Sequence, residues 1–70
     1  MPPHSEEAEQ SVLGSLMLDK SAITKIADIL KTGDFYRDIH NMIYEAMVEL
    51  YEASEPIDVL SVANRLRSEE

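Results

Sequence analysis

Seventy residues carrying fourteen Asp and Glu against six Lys and Arg, with a net charge of −8 and no cysteine, allow at most one small domain and exclude disulfides and thiolate metal sites. That charge opposes binding to phosphate backbones, which depends on clustered Lys and Arg; the six cations, Lys20, Lys25, Lys31, Arg37, Arg65 and Arg67, are scattered. No apolar run approaches the roughly 20 residues that span a bilayer, and the acidic MPPHSEEAEQ start has no apolar signal region, so a cytoplasmic protein is the expectation.

A core of this size rarely supplies more than about 3–5 kcal/mol without a staple. The chain therefore either oligomerises or is one piece of something larger. After a short extended tail at Pro2 and Pro3, Ser5 is the expected cap of a first helix reaching about Leu18. Glu6, Glu7 and Glu9 sit at its positive end. Ala8, Val12, Leu13, Leu16 and Met17 share one broad side. Gly14 costs about 1 kcal/mol inside a helix relative to Ala. With Ser11 and Ser15 it either makes room for a close helix crossing or is a tolerated surface glycine.

Asp19 to Ser21 breaks the pattern. A second helix is expected from Ala22 to Leu30, capped by Ser21 or Asp19, with Ile23, Ile26, Ala27 and Leu30 as its stripe. Lys31 suits its last turn, and Gly33 is its expected stop.

The longest helix is expected between Asp34 and Ser54, opened by Asp34 or Phe35, with Phe35 and Tyr36 anchoring the corner before it. At about 100° per residue, Tyr36, Ile39, Ile43, Ala46, Met47 and Leu50 fall on one face, with Met42 at its edge. Asp38, Asn41, Glu45, Glu49 and Glu52 fall opposite. Tyr44, Val48 and Tyr51 widen the apolar arc past the usual width of roughly 100°. Either helices pack on two sides of this rod, or part of it waits for a partner. The stretch Ala53 to Pro56 ends it. Asp58 is the expected cap of a last helix, with Ile57 placed to pack on Val62 as a hydrophobic staple. Arg65 and Arg67 lie near the end of that helix.

No stretch alternates with period two, so the fold class is all-α: four helices in small bundle-like packing. The expected core is Val12, Leu16, Ile26, Leu30, Ile39, Ile43, Met47, Leu50, Val62 and Leu66. Residues 1–70 read as a single helical domain that stops abruptly at Ser68–Glu70.

The chain carries no pattern for catalysis. His4 and His40 lack the spacing of a metal pair, and His40 is expected as a half-buried, hydrogen-bonded structural residue. The pairs Asp34 with Asp38 and Glu45 with Glu49 lie on a polar helix back, not across a cleft. No serine stands in a G-x-S-x-G context, and Gly14 and Gly33 alone cannot form a phosphate-cradling loop. No catalytic, cofactor-binding or metal-binding residue is expected in this segment. Tyr44, Val48 and Tyr51 are the candidates for partner-facing residues, with burial against further helices as the other reading.

The segments PPHSEEAEQSVLGSLMLD and DFYRDIHNMIYEAMVELYEASEPIDVLSVANRLR resemble the amino-terminal domain of bacterial replicative DNA helicases of the DnaB type. The resemblance runs from Pro2 to about Arg67. It rests on Pro3, Ala8-Glu9-Gln10, Val12-Leu13-Gly14 and Leu16, then on Asp34–Arg37, His40, Ile43 and the Pro56-Ile57-Asp58 turn. It implies a helical head belonging to ring hexamers that encircle single-stranded DNA. In such helicases a carboxy-terminal RecA-like domain with a P-loop uses ATP and Mg. The heads form a collar, a trimer of dimers, and dock the carboxy-terminal domain of primase; a helicase loader is a further partner. By the same resemblance, the helical hairpin, linker and P-loop are absent from these seventy residues, and so are the last helices of the head. An unrelated acidic helical adaptor is the alternative, distinguished by what lies downstream.

Overall fold

The computed structural model describes residues 6–19 and 21–68. The expected cap at Ser5, the tail before it and Lys20 lie outside these residues. The described part holds helices α1 (Glu6–Leu18), α2 (Ala22–Ile26), α3 (Asp38–Glu52) and α4 (Val59–Ser68) and no strand. The expected fold class therefore stands, but two helix boundaries do not.

The second helix stops at Ile26 rather than Leu30. Its five residues are too few to persist by propensity, and the chain is needed for a turn. The N–H groups of Ile29 and Leu30 both bond to the Ile26 carbonyl, at 2.9 and 2.7 Å. The start of α2 is organised by Asp19. Its carboxylate accepts the Ser21 N–H at 3.1 Å and the Ser21 hydroxyl at 2.7 Å, and Ser21 makes no side-chain cap bond of its own. Gly33 is not a helix stop. It lies seven residues past Ile26 with φ of +106°, a conformation that glycine adopts without penalty, and it bends the chain back toward α3.

The long helix opens at Asp38, not at Asp34 or Phe35. Residues 33–37 are instead held by side chains that reach in from elsewhere. The Asn41 Oδ1 accepts the N–H groups of Gly33 and Phe35, at 2.9 and 3.0 Å, and its Nδ2 donates to the Phe35 carbonyl at 2.9 Å. Asn41 thus works for the loop rather than the solvated back of the helix. At the far end of α3, Glu55 N–H bonds to the Leu50 carbonyl and Ser54 N–H to the Tyr51 carbonyl. This is the paired closure of a Schellman turn, with Ser54 at φ +59° in the position that usually holds glycine. The last helix starts as expected. The Asp58 carboxylate accepts the Ser61 N–H at 2.8 Å, and Ile57 and Val62 are both buried in the core.

Helix α3 is central, with α1 against one flank and α4 against another. Packing on more than one side accounts for part of the wide apolar arc, taking in Tyr44 and leaving Tyr51 exposed. Its buried face comprises His40, Tyr44, Ala46, Met47 and Leu50. This face is turned by roughly 40°, at about 100° per residue, from the expected one. Ile39 is 45% exposed, and Tyr36 and Met42 are exposed too. Of the expected core, Leu16, Met47, Leu50 and Val62 are buried, while Ile26, Leu30, Ile43 and Leu66 pack against it half-buried. Val12, at 37% exposure, and Ile39 are corrections; Leu13, Ile23, Phe35, Tyr44, Ala46 and Ile57 complete the core. Val12 lies outside because α1 is rolled to aim Glu9, Leu13 and Leu16, spaced i, i+4 and i+7, at the rest of the fold.

Candidate interaction surface

The three residues singled out as partner-facing divide. Tyr44 is 1% exposed, its ring lies 5.6 Å from that of Phe35, and its hydroxyl donates to the Leu30 carbonyl at 2.6 Å. Tyr44 is therefore a core residue, and a partner cannot reach it without opening the fold. Burial raises the Tyr44 phenol above its ordinary value, and the nearby Asp34 charge adds to the rise. Val48 is half-buried and Tyr51 exposed. Together with Leu30, Lys31, Thr32 and Glu52 they line a shallow groove between the turn after α2 and the second half of α3. Two further apolar grooves flank α1, one over Gly14, Met17, Ile39 and Ile43 and one over Val12, Leu16, Ala22 and Ile26.

The strongest polar cluster joins α1 to the start of α3. Glu9 Oε2 accepts the Tyr36 N–H at 2.6 Å. Its Oε1 meets His40 Nδ1 at 2.6 Å and the Arg37 N–H at 3.4 Å. Facing a carboxylate that can only accept, Nδ1 is the ring nitrogen that carries the proton. The Glu9 and His40 side chains are 13% and 6% exposed. Burial pushes the Glu9 carboxyl upward, but the bonds from His40, Tyr36 and Arg37 outweigh it and leave the carboxyl below its usual range. Beside it, Arg37 pairs with Glu6 at 3.1 Å, and Phe35 sets its ring edge-on to His40 at 6.2 Å. His40 is thus the hydrogen-bonded structural histidine its position suggested. Its acceptor was not legible. Glu9 read as a charge for the dipole of its own helix, and only its i, i+4, i+7 register with Leu13 and Leu16 hints at an inward role.

One carboxylate of each same-face pair is engaged in a structural contact. Asp34 accepts the Lys31 N–H at 2.8 Å, and Glu49 bonds Arg65 Nε at 2.9 Å across α3 and α4. Gly14 sits mid-helix and Gly33 in a lone turn, so neither belongs to a phosphate-cradling loop, and no group of three His, Asp or Glu gathers among the described residues. None of the described helices is long and apolar enough to cross a membrane.

The arrangement is therefore a small helical head whose features are surfaces and internal clasps. A family model described as DnaB-like helicase N-terminal domain matches residues 1–70. The chain belongs to that family. It is 46% identical over 65 residues to the replicative DNA helicase DnaB of Mycobacterium leprae, covering 93% of this chain and 11% of that protein. It is 44% identical over 66 residues to the replicative DNA helicase DnaC of Bacillus subtilis, covering 94% of this chain and 14% of that protein. The crystal structure of the N-terminal domain of DnaB helicase from Mycobacterium tuberculosis superposes with a TM-score of 0.90 at 43% identity, covering 99% of this chain and 48% of that one. The chain thus spans a small fraction of the curated relatives it matches, and about half of the solved domain. The Glu9 cluster is built from residues on which the resemblance rests, Ala8–Gln10, Asp34–Arg37 and His40.

Proposed function

We propose that this chain is the N-terminal scaffold of a hexameric, ATP-dependent replicative DNA helicase. It contributes to the collar of the ring, a trimer of dimers, and docks the carboxy-terminal domain of primase, with a helicase loader as a further partner. Catalysis belongs to the rest of the helicase, in a RecA-like domain that binds ATP and Mg, in the bacterial cytoplasm. The observation that carries this reading is the close agreement of nearly all of this chain with about half of a helicase N-terminal domain. An acidic surface favours basic protein partners over nucleic acid.

Within this reading, the groove beside Val48 and Tyr51 is the docking surface, because it offers an exposed aromatic ring beside half-buried apolar side chains. The test is size-exclusion chromatography of this chain with and without the carboxy-terminal domain of primase. A co-migrating complex lost in Tyr51→Ala is the expected result. No shift at high concentration overturns docking by this segment. A shift that persists in Tyr51→Ala overturns the choice of groove.

A further inference from the structure

We propose that the groove beside Val48 and Tyr51 is a seat for an arginine side chain of a partner protein, its guanidinium held over the Tyr51 ring between the Asp28 and Glu52 carboxylates. This rests on the reading of that groove as the docking surface, and it names the chemistry of what docks there. The two carboxylates come from opposite walls. Asp28 lies in the turn two residues past α2, Glu52 is the last residue of α3, and both are exposed.

Neither carboxylate stands where its own helix gains from it. Negative charge at a helix C-terminus opposes the dipole, and the last turn of α3 holds no basic residue. Glu49 in that region is answered by Arg65 of α4 at 2.9 Å. Among the described residues no cation pairs with Glu52 or Asp28. Lys31, on the groove wall, turns its ammonium back to the Ala27 carbonyl at 3.4 Å, where it serves the end of α2. The Lys31 N–H is held by Asp34 at 2.8 Å, which brings a further carboxylate beside the groove. Asp28, Asp34 and Glu52 thus outweigh Lys31, in a chain of net charge −8, and the complementary occupant is a cation.

Tyr51 decides between the two basic side chains. Its ring is 40% exposed, whereas the other tyrosine of the groove, Tyr44, is buried and tied to the Leu30 carbonyl. A guanidinium is planar and weakly hydrated, stacks on an aromatic face and offers donors to more than one carboxylate. An ammonium is a compact, strongly hydrated charge and gains less from the ring. The half-buried Val48 and Leu30 complete the seat by covering the aliphatic stem.

Titration of the full chain with the end-blocked peptide Leu-Arg-Leu, followed by amide NMR shifts, tests the seat. Leu-citrulline-Leu keeps the shape and removes the charge. The arginine peptide is expected to move the amides of Ala27–Thr32 and Val48–Glu52 and to bind about tenfold more tightly than the citrulline peptide. Asp28→Asn combined with Glu52→Gln, both surface changes, is expected to abolish that difference, and added salt to shrink it. Tyr51→Leu is expected to remove the preference over Leu-Lys-Leu. Equal binding of the arginine and citrulline peptides, or no shift in this groove, overturns the proposal. A primase carboxy-terminal domain that co-migrates undiminished with the doubly neutralised variant overturns the seat and leaves docking standing. The expected peptide shifts without co-migration sustain the seat and overturn only the docking of that partner.

Discussion

Asn41 and Phe35 bind each other through both ends of one amide: Asn41 Oδ1 accepts the Phe35 N–H at 3.0 Å, and Asn41 Nδ2 donates to the Phe35 carbonyl at 2.9 Å. The same oxygen also takes the Gly33 N–H at 2.9 Å. One side chain from the first turn of α3 thus fixes the loop that precedes it, which puts the Phe35 ring into the core against Tyr44 and His40. Asn41→Ala removes three hydrogen bonds, two of them half-buried, at about 1 kcal/mol each. The expected loss is about 2–3 kcal/mol, read as a fall in thermal midpoint of about 10–20 °C for a domain this small. A change of only a degree or two contradicts the assigned role.

Ser54 closes α3 in the left-handed region, with φ of +59°. A side chain costs about 1 kcal/mol there and glycine costs none. Ser54→Gly is therefore expected to raise stability by about 0.5–1 kcal/mol in urea denaturation, with an unchanged m-value.

Gly14 has nothing within 4 Å of where a Cβ would sit, so none of the described helices crosses closely over it. Gly14→Ala should add about 1 kcal/mol from helix propensity alone. A destabilised variant, measured by the same denaturation, would mean that α1 rests closer to its neighbours than its position here allows.

Acid should weaken the fold in a defined window. Hydrogen bonds from Ser21, led by its hydroxyl, hold the Asp19 carboxyl below its ordinary value of 3.8, and the bonds from His40, Tyr36 and Arg37, outweighing burial, hold Glu9 below 4.5. A carboxyl lowered in the folded state gives stability that is complete above its ordinary pKa and is lost as pH falls through the lower folded value. The thermal midpoint should fall with pH through that range, and the slope should flatten in Glu9→Gln and in Asp19→Asn. An unchanged slope in both variants removes these groups from the account.

Alkali should act through Tyr44. Its phenol is raised above 10.0 in the folded chain, so its contribution is present below that value and is lost as pH rises from it through the folded one. Tyr44→Phe should abolish this alkaline loss. At neutral pH it should cost about 1 kcal/mol for the bond to the Leu30 carbonyl, followed by thermal denaturation.

Composition and helical periodicity by themselves determined the class, four helices in nearly the right places, with Asp58 as a cap and Ile57 and Val62 as a staple. The family was legible as well, through the resemblance of particular segments and not through composition or periodicity. These are local properties: caps and apolar stripes depend on residues within one or two turns of each other. Tertiary structure alone decided which part of the wide arc of α3 is inside, because neighbours on two flanks choose a face that a single helix leaves open. It took Tyr44 inward and left Ile39 and Val12 at the surface. It also decided what Glu9 and Asn41 do. Glu9 bonds across 27 to 31 residues of sequence, and Asn41 turns its amide back from helix to loop. No local pattern distinguishes such a side chain from one that is merely solvated. Its role exists only once folding has brought the unpaired backbone groups of another segment within reach.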